Sequence, residues 1–318
     1  MRWKKLGKIF NPLEHTLADN CKEFAQSPQV LVLDTCYRVY FSTRAIDESG
    51  KYISYVAFAE FDKSFSKVLK VSDKTIITRG ELGTFDEHGI FPMNILRDGD
   101  ELLGYTSGWF RRESVLVDSA IGLTISCDNG LTFERVGIGP VLGPSLNEPF
   151  LIADPFVIKY QGFYHMWYVY GKTWIKGVNG RNPDRVYKIG HAISRDRINW
   201  EQEGRQILPD FLDEVECQAL PTICFIEDRW HMYFCYRYAT DFRSNPHRAY
   251  RLGYAYSFDL KDWIRNDEKA GIKRSEKGWD SEMMCYPFLF SDVNKNYLLY
   301  NGNAFGRYGF GLAVLEST

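Results

Sequence analysis

Glutamates recur at one offset along this chain of 318 residues: Glu23, Glu87, Glu216 and Glu282 each stand five positions before a proline. The fifth such position holds Phe150, but that segment carries Asp154 directly before its proline. Carboxylates drawn together on one axis raise each other's pKa, which is what general acid and base chemistry needs. The plainer fates for such acids are solvation, pairing with arginine, or holding a cation. Perturbed carboxylates in a cleft favour a site over a structural network, and the site is the reading taken here.

A second set of residues lies some twenty positions further along each segment: Arg44, Trp109, Lys172 with Trp174, Arg237, and Asn301 with Asn303. Cations, indoles and amides together suit a hydroxylated ligand that also carries negative charge. His88, beside Glu87, is either a base partner or a satisfied polar residue. His165 and His231 occupy matching places inside aromatic runs and read as packing residues, while Gly139 and Gly143 mark turns with no phosphate-loop spacing.

The elements that position these residues follow from an internal repeat. Pro28, Pro92, Pro155, Pro221 and Pro287 are spaced by 64, 63, 66 and 66 residues. Each opens an apolar run, then a polar turn, then an aromatic run, as in DPFVIKYQGFYHMWYVYGK and LPTICFIEDRWHMYFCYR. That is a β-hairpin signal, with proline expected where a strand begins. A second element follows at Ser126, Ser194 and Ser257 (SCDNGLTFERVG, SRDRINWEQEG, SFDLKDWIRND), with a weaker copy from Ala59, and suits a hairpin between third and fourth strands. Five units of four strands predict an all-β fold, a five-bladed β-propeller, as one domain over residues 1–318 with blades beginning near 23, 87, 150, 216 and 282. The last unit ends after a third strand, GFGLAVLEST. The N-terminal Trp3, Gly7 and Pro12 repeat the spacing of Trp200, Gly204 and Pro209. Residues 1–12 are therefore predicted to supply the missing outer strand, which removes an open sheet edge. In that geometry the residues before each first strand and after each second strand emerge on one face.

Composition narrows the function. Aromatics make up 16% of the chain, enough both to fill sheet cores and to line a carbohydrate cleft. A net charge of -2 gives no footprint for nucleic acid or an anionic membrane surface. The N-terminus lacks the apolar stretch of a signal peptide, and no run approaches a membrane span. Seven scattered cysteines without a C-x-x-C pair read as reduced thiols in a cytoplasmic protein.

At Ala153-Asp154-Pro155 with its FVIKYQGFYHMWYVYG continuation, and at Glu216-Cys217, the sequence resembles the five-bladed propeller superfamily of invertases, levansucrases, arabinanases, xylosidases and mannoside phosphorylases. YRLGYAYSFDLKDWIRND, WDSEMMCYPFLF and YNGNAFGRYGFGLAVLE resemble its glycosylase-like members. The resemblance implies a glycosidase in which acids from three consecutive blades act together, here Glu87, Asp154 and Glu216. It implies Glu216 as proton donor, Asp154 as stabiliser of the oxocarbenium-like charge, and Glu87, or alternatively Glu282, as base or nucleophile. Glu23, Arg44, His88, Trp109, Lys172, Trp174, Arg237, Asn301 and Asn303 are the expected substrate-binding residues, and a carbohydrate the expected ligand. A phosphorylase is the first alternative, with Arg44, Arg237 and Lys172 for phosphate. A sugar-binding propeller without catalysis is the second, since Ser27-Pro28 stands where the superfamily's first acid usually does. A protein-interaction propeller has no reason to collect acids at a channel mouth. No cofactor or metal is called for; an axial or structural Ca²⁺ is compatible with the acids but not indicated by them.

Overall fold

The computed structural model describes residues 1–177 and 180–316, and these form five four-stranded antiparallel sheets arranged as a five-bladed propeller. The inner strands are Glu23–Val32, Ile90–Asp98, Ile152–Tyr160, Glu216–Ile226 and Cys285–Asp292. Blades are numbered one to five in that order. The predicted seam is present: Trp3–Phe10 pairs with Phe310–Leu315 as the outer strand of blade five. Ser317 and Thr318, the end of the predicted third strand, lie outside the described residues. Trp3 anchors this strand to blade four by donating its indole N–H to the Tyr233 hydroxyl at 2.7 Å. No described helix is long and apolar enough to cross a membrane.

The repeated Ser-x-Asp elements are clamps on the outer hairpins. Ser126, Ser194 and Ser257 donate to Asp128, Asp196 and Asp259, and each aspartate accepts main-chain N–H groups of the following turn. Such local bonds satisfy backbone donors that a two-residue outer strand leaves free.

The prolines behave differently from expectation. They lie inside the inner strands, at a β-bulge that all five blades share. In blade three Ala153 faces Val169 while Phe156 faces Trp167, so three steps on one strand match two on its partner. The same slip separates Gln26 from Gln29, Ile90 from Met93, Ala219 from Thr222 and Cys285 from Phe288. Proline suits the unpaired position because it has no N–H to leave unsatisfied. The residue before it is turned out of the strand. Ser27, Asp154, Leu220 and Tyr286 have φ of 53°, 53°, 48° and 55°, in the left-handed region that costs a side-chain-bearing residue about 1–3 kcal/mol. In blade two the Phe91–Pro92 bond is cis.

Most aromatics serve the core. Trp167, Tyr40, Tyr105, Tyr168, Tyr233 and Tyr300 are fully buried in the layers between blades. The two packing histidines belong there too. His165 lies 3.2 Å from His191, which meets Glu203 at 2.6 Å, and His231 meets the Tyr254 hydroxyl at 2.8 Å. Burial pushes both His165 and His231 down to about 4, and the neighbouring His191 adds to this for His165. Unfolded histidine titrates near 6.5, so the stability these neutral rings permit is complete above that pH and is lost as pH falls towards about 4. Thermal melts should show this acid loss, and His165→Gln should make it shallower; an unchanged slope would refute the assignment.

Candidate active site

A cavity of about 980 Å³ lies where the inner strands converge, lined by Gln26, Phe91, Asp154, Ala219 and Tyr286 from all five of them. The bulges decide what reaches it. Of the five residues preceding the prolines, Phe91, Asp154 and Tyr286 line its wall. Asp154 is the only acid among the five. Its side chain is buried, and Oδ2 accepts the Leu220 main-chain N–H at 3.3 Å from the bulge of the next blade. Burial pushes the Asp154 carboxyl up to about 7, against the opposing influence of that hydrogen bond and of the Arg185 charge.

Around Asp154 stands a phenolic and cationic wall. Arg237 is fully buried, with Nε and Nη2 donating to the Tyr187 hydroxyl at 3.1 and 2.9 Å and its Cζ 3.5 Å from the centroid of the Phe242 ring. Tyr187 in turn hydrogen-bonds Tyr250. Burial raises the phenols of Tyr187, Tyr250 and Tyr286, so they stay protonated as donors. Arg44 lies over Phe24 at 4.7 Å and Tyr52 at 5.5 Å, and Trp109 donates its indole N–H to Ser54 at 3.2 Å on the same side.

Of the expected acids, Asp154 and Glu282 line the cavity, Asp154 deep in the wall and Glu282 exposed at the mouth. The other three do not. Glu216, expected as the proton donor, is wholly buried away from the cavity. It pairs with Arg265 at 2.6 Å and accepts from the main chain of Phe211 and Leu212 and from Gln218. Glu87 folds back on its own loop, accepting the Gly83 N–H at 3.1 Å. Glu23 is held by Arg307 through bonds of 2.8 and 2.9 Å, and it is Arg307 that reaches the cavity wall.

Among the expected binding residues, Arg44, Trp109 and Arg237 line the cavity. Lys172 is exposed outside it and Trp174 packs on the core behind it. His88 lies one layer back, its ring 5.6 Å from Trp109 and its Nδ1 accepting the Arg111 N–H at 3.4 Å. Burial and the Arg111 charge lower its pKa. Asn301 and Asn303 are braces. Asn301 accepts the Ser27 N–H at the blade-one bulge, and Asn303 accepts the N–H of Glu282 and so fixes the backbone there. Sequence reasoning missed Tyr286, whose signal was its place before Pro287, and Arg185, Tyr187 and Arg243, which no motif marked. Among the described residues no cluster of three or more His, Cys, Asp or Glu side chains comes together to hold a metal.

No family model matches the sequence. The chain is 32% identical, over the whole length of both, to the uncharacterized Mycobacterium tuberculosis protein MT1551. It belongs to the same family. Among solved structures, members of that architecture include a glycoside hydrolase with TM-score 0.73 and 15% identity, covering 99% of this chain and 92% of its own. Another is the β-1,2-mannobiose phosphorylase of Listeria innocua, with TM-score 0.68 and 12% identity, covering 99% and 96%. At such identities the likeness shows the fold that the MT1551 family shares with glycoside hydrolases and mannoside phosphorylases.

Proposed function

We propose that this protein acts on a glycosidic bond in the axial cavity, with Asp154 protonating the leaving oxygen. The observation that carries this reading is the placement of one acid on the axis, buried and pushed up to about 7. A carboxylic acid poised near neutrality can give up a proton in the transition state and is still substantially protonated beforehand. Glu282, at the mouth, supplies the second carboxylate, as base on an incoming water or as nucleophile. The protonated phenol of Tyr286 offers a donor to a sugar hydroxyl, and Trp109 an apolar face for a ring. Glu216 takes no part in this scheme.

The test is turnover of a panel of 4-nitrophenyl glycosides, assayed with and without inorganic phosphate. With Asp154 as general acid, kcat should decline as pH rises through about 7, because the proton it must donate is lost. Activity that climbs through this range would remove Asp154 from that role. The cationic wall also favours a second reading, phosphorolysis, in which turnover would require added phosphate.

A further inference from the structure

The walls of the axial cavity are charged out of proportion to the protein. The chain carries a net charge of -2, yet eight cationic side chains line this one cavity against three carboxylates. Some of the cations are already engaged: Arg111 with Asp47 at 2.7 Å, Arg112 with Asp118 at 2.8 Å, and Arg307 with Glu23. Arg44, Arg185 and Arg243 have no carboxylate within 4.0 Å among the described residues. They also oppose one another. Partial burial lowers the pKa of Arg44 and the Arg185 charge lowers it further; Arg243 stands exposed, yet lost hydration and then the Arg185 charge lower it in the same direction. Unpaired guanidinium groups held close in a partly dry cavity are costly unless a counter-charge arrives.

The same wall holds polar atoms that lack partners. Arg44 Nε, Ser107 Oγ and Gln26 Oε1 are buried without a hydrogen bond, and all three residues line the cavity. Gln26 and Ser107 are each 1% exposed. The Gln26 amide is oriented by its Nε2, which donates to the Phe305 carbonyl at 2.6 Å, and this leaves Oε1 as a buried acceptor without a partner just behind the cavity wall. Inorganic phosphate would meet the arginines and has an O–H for that acceptor, but it has no array of hydroxyls to reach Gln26 and Ser107 together. A sugar hydroxyl supplies the missing donor, and a charged substituent on the same sugar supplies the anion.

We propose that the cavity binds an acidic sugar, one whose own ring bears a carboxylate or phosphate, with Arg44, Arg185 and Arg243 taking the anion and Gln26 and Ser107 taking hydroxyls. This names the substrate class for the glycosidic reading above and rests on it, but binding can be measured without turnover. Calorimetric titration would compare uronates and hexose 6-phosphates with their neutral parent sugars, and with inorganic phosphate alone. At least one acidic sugar should bind about tenfold tighter than its neutral parent, and its affinity should weaken as salt rises. Arg185→Gln and Arg243→Gln, at positions with some exposure, should each erase most of that preference while leaving the fold intact. Gln26→Leu should weaken acidic and neutral sugars alike, since it removes a hydroxyl acceptor and no charge.

No preference for the acidic member of any pair would overturn the proposal. Inorganic phosphate binding as tightly as the best sugar phosphate would overturn it too, making the anion a separate co-substrate. Tight binding of an acidic sugar whose glycosides are never cleaved would leave this inference standing and sink the glycosidic reading. Cleavage of neutral glycosides that depends on Asp154 would do the reverse.

Discussion

Asp154→Asn is expected to lower turnover by about 10²–10⁴-fold and, at the same time, to raise the melting temperature at neutral and alkaline pH. The two effects have one cause. In the folded chain the carboxyl is buried and titrates at about 7, against 3.8 for the ordinary group. A group whose folded pKa is raised contributes most to stability below its unfolded pKa, and that contribution is lost as pH climbs through the folded value. Above about pH 7 the wild type therefore holds a buried negative charge at a cost on the order of 4 kcal/mol. Asparagine is nearly the same size, can still accept the Leu220 N–H, and carries no charge to bury. Melts across the pH range should show the variant and wild type diverging between about pH 4 and 7 and running parallel above it. A variant that loses both activity and stability would mean that the charge is held by stronger partners than Leu220 and Arg185. One that keeps its activity would remove Asp154 from the chemistry.

The architecture was legible because a propeller writes its period into the chain, and five prolines spaced by 64, 63, 66 and 66 residues carry it without any long-range information. The seam was legible for the same reason, since Trp3 and Trp200 each belong to an outer-strand segment. The placement of the acids departs from the expected one at the same prolines. Counting five residues back assumes a regular strand, in which side chains alternate strictly between faces. The bulge inserts one residue, and a single insertion exchanges the faces on either side of it. Of the residues immediately before the prolines, Phe91, Asp154 and Tyr286 line the cavity, whereas of those five positions back only Glu282 does. A proline inside an apolar strand is itself the signal of such a bulge. The remaining glutamates met one of the plain fates weighed for them. Glu216 and Glu23 pair with arginines far away in sequence, 49 and 284 residues, so no local pattern reports the pairing, while Glu87 is taken up by the Gly83 N–H of its own loop. Arg185 and Arg243 lie at the start of a third strand and in a loop, where the repeat does not constrain residue type.

Glu216→Ala is expected to destabilise the protein by about 3–5 kcal/mol, and to do so without specific damage to catalysis. Arg265 is 4% exposed in its side chain and sits between Glu216 at 2.6 Å and Asp267 at 2.8 Å. It is also stacked against Tyr236 and Phe234, with 4.7 and 5.0 Å to the ring centroids. Removing Glu216 leaves that guanidinium with one carboxylate where it had two, and strips the acceptor from the Phe211 and Leu212 N–H groups. Both donors are partly buried and must then turn to water for a partner. Glu216→Gln should be milder, because it keeps an acceptor for those N–H groups while losing the charge opposite Arg265. Denaturant unfolding ranks the three proteins, and kcat per folded molecule separates the roles. A structural Glu216 gives a stability series of wild type, Gln, Ala, with turnover held within a few-fold in the molecules that remain folded. The opposite pattern, near-native stability in Glu216→Gln with turnover reduced by orders of magnitude, would put Glu216 back among the acids that touch substrate. It would also require the Arg265 pair to open during the reaction, because Glu216 is wholly buried and does not line the cavity whose wall holds Asp154.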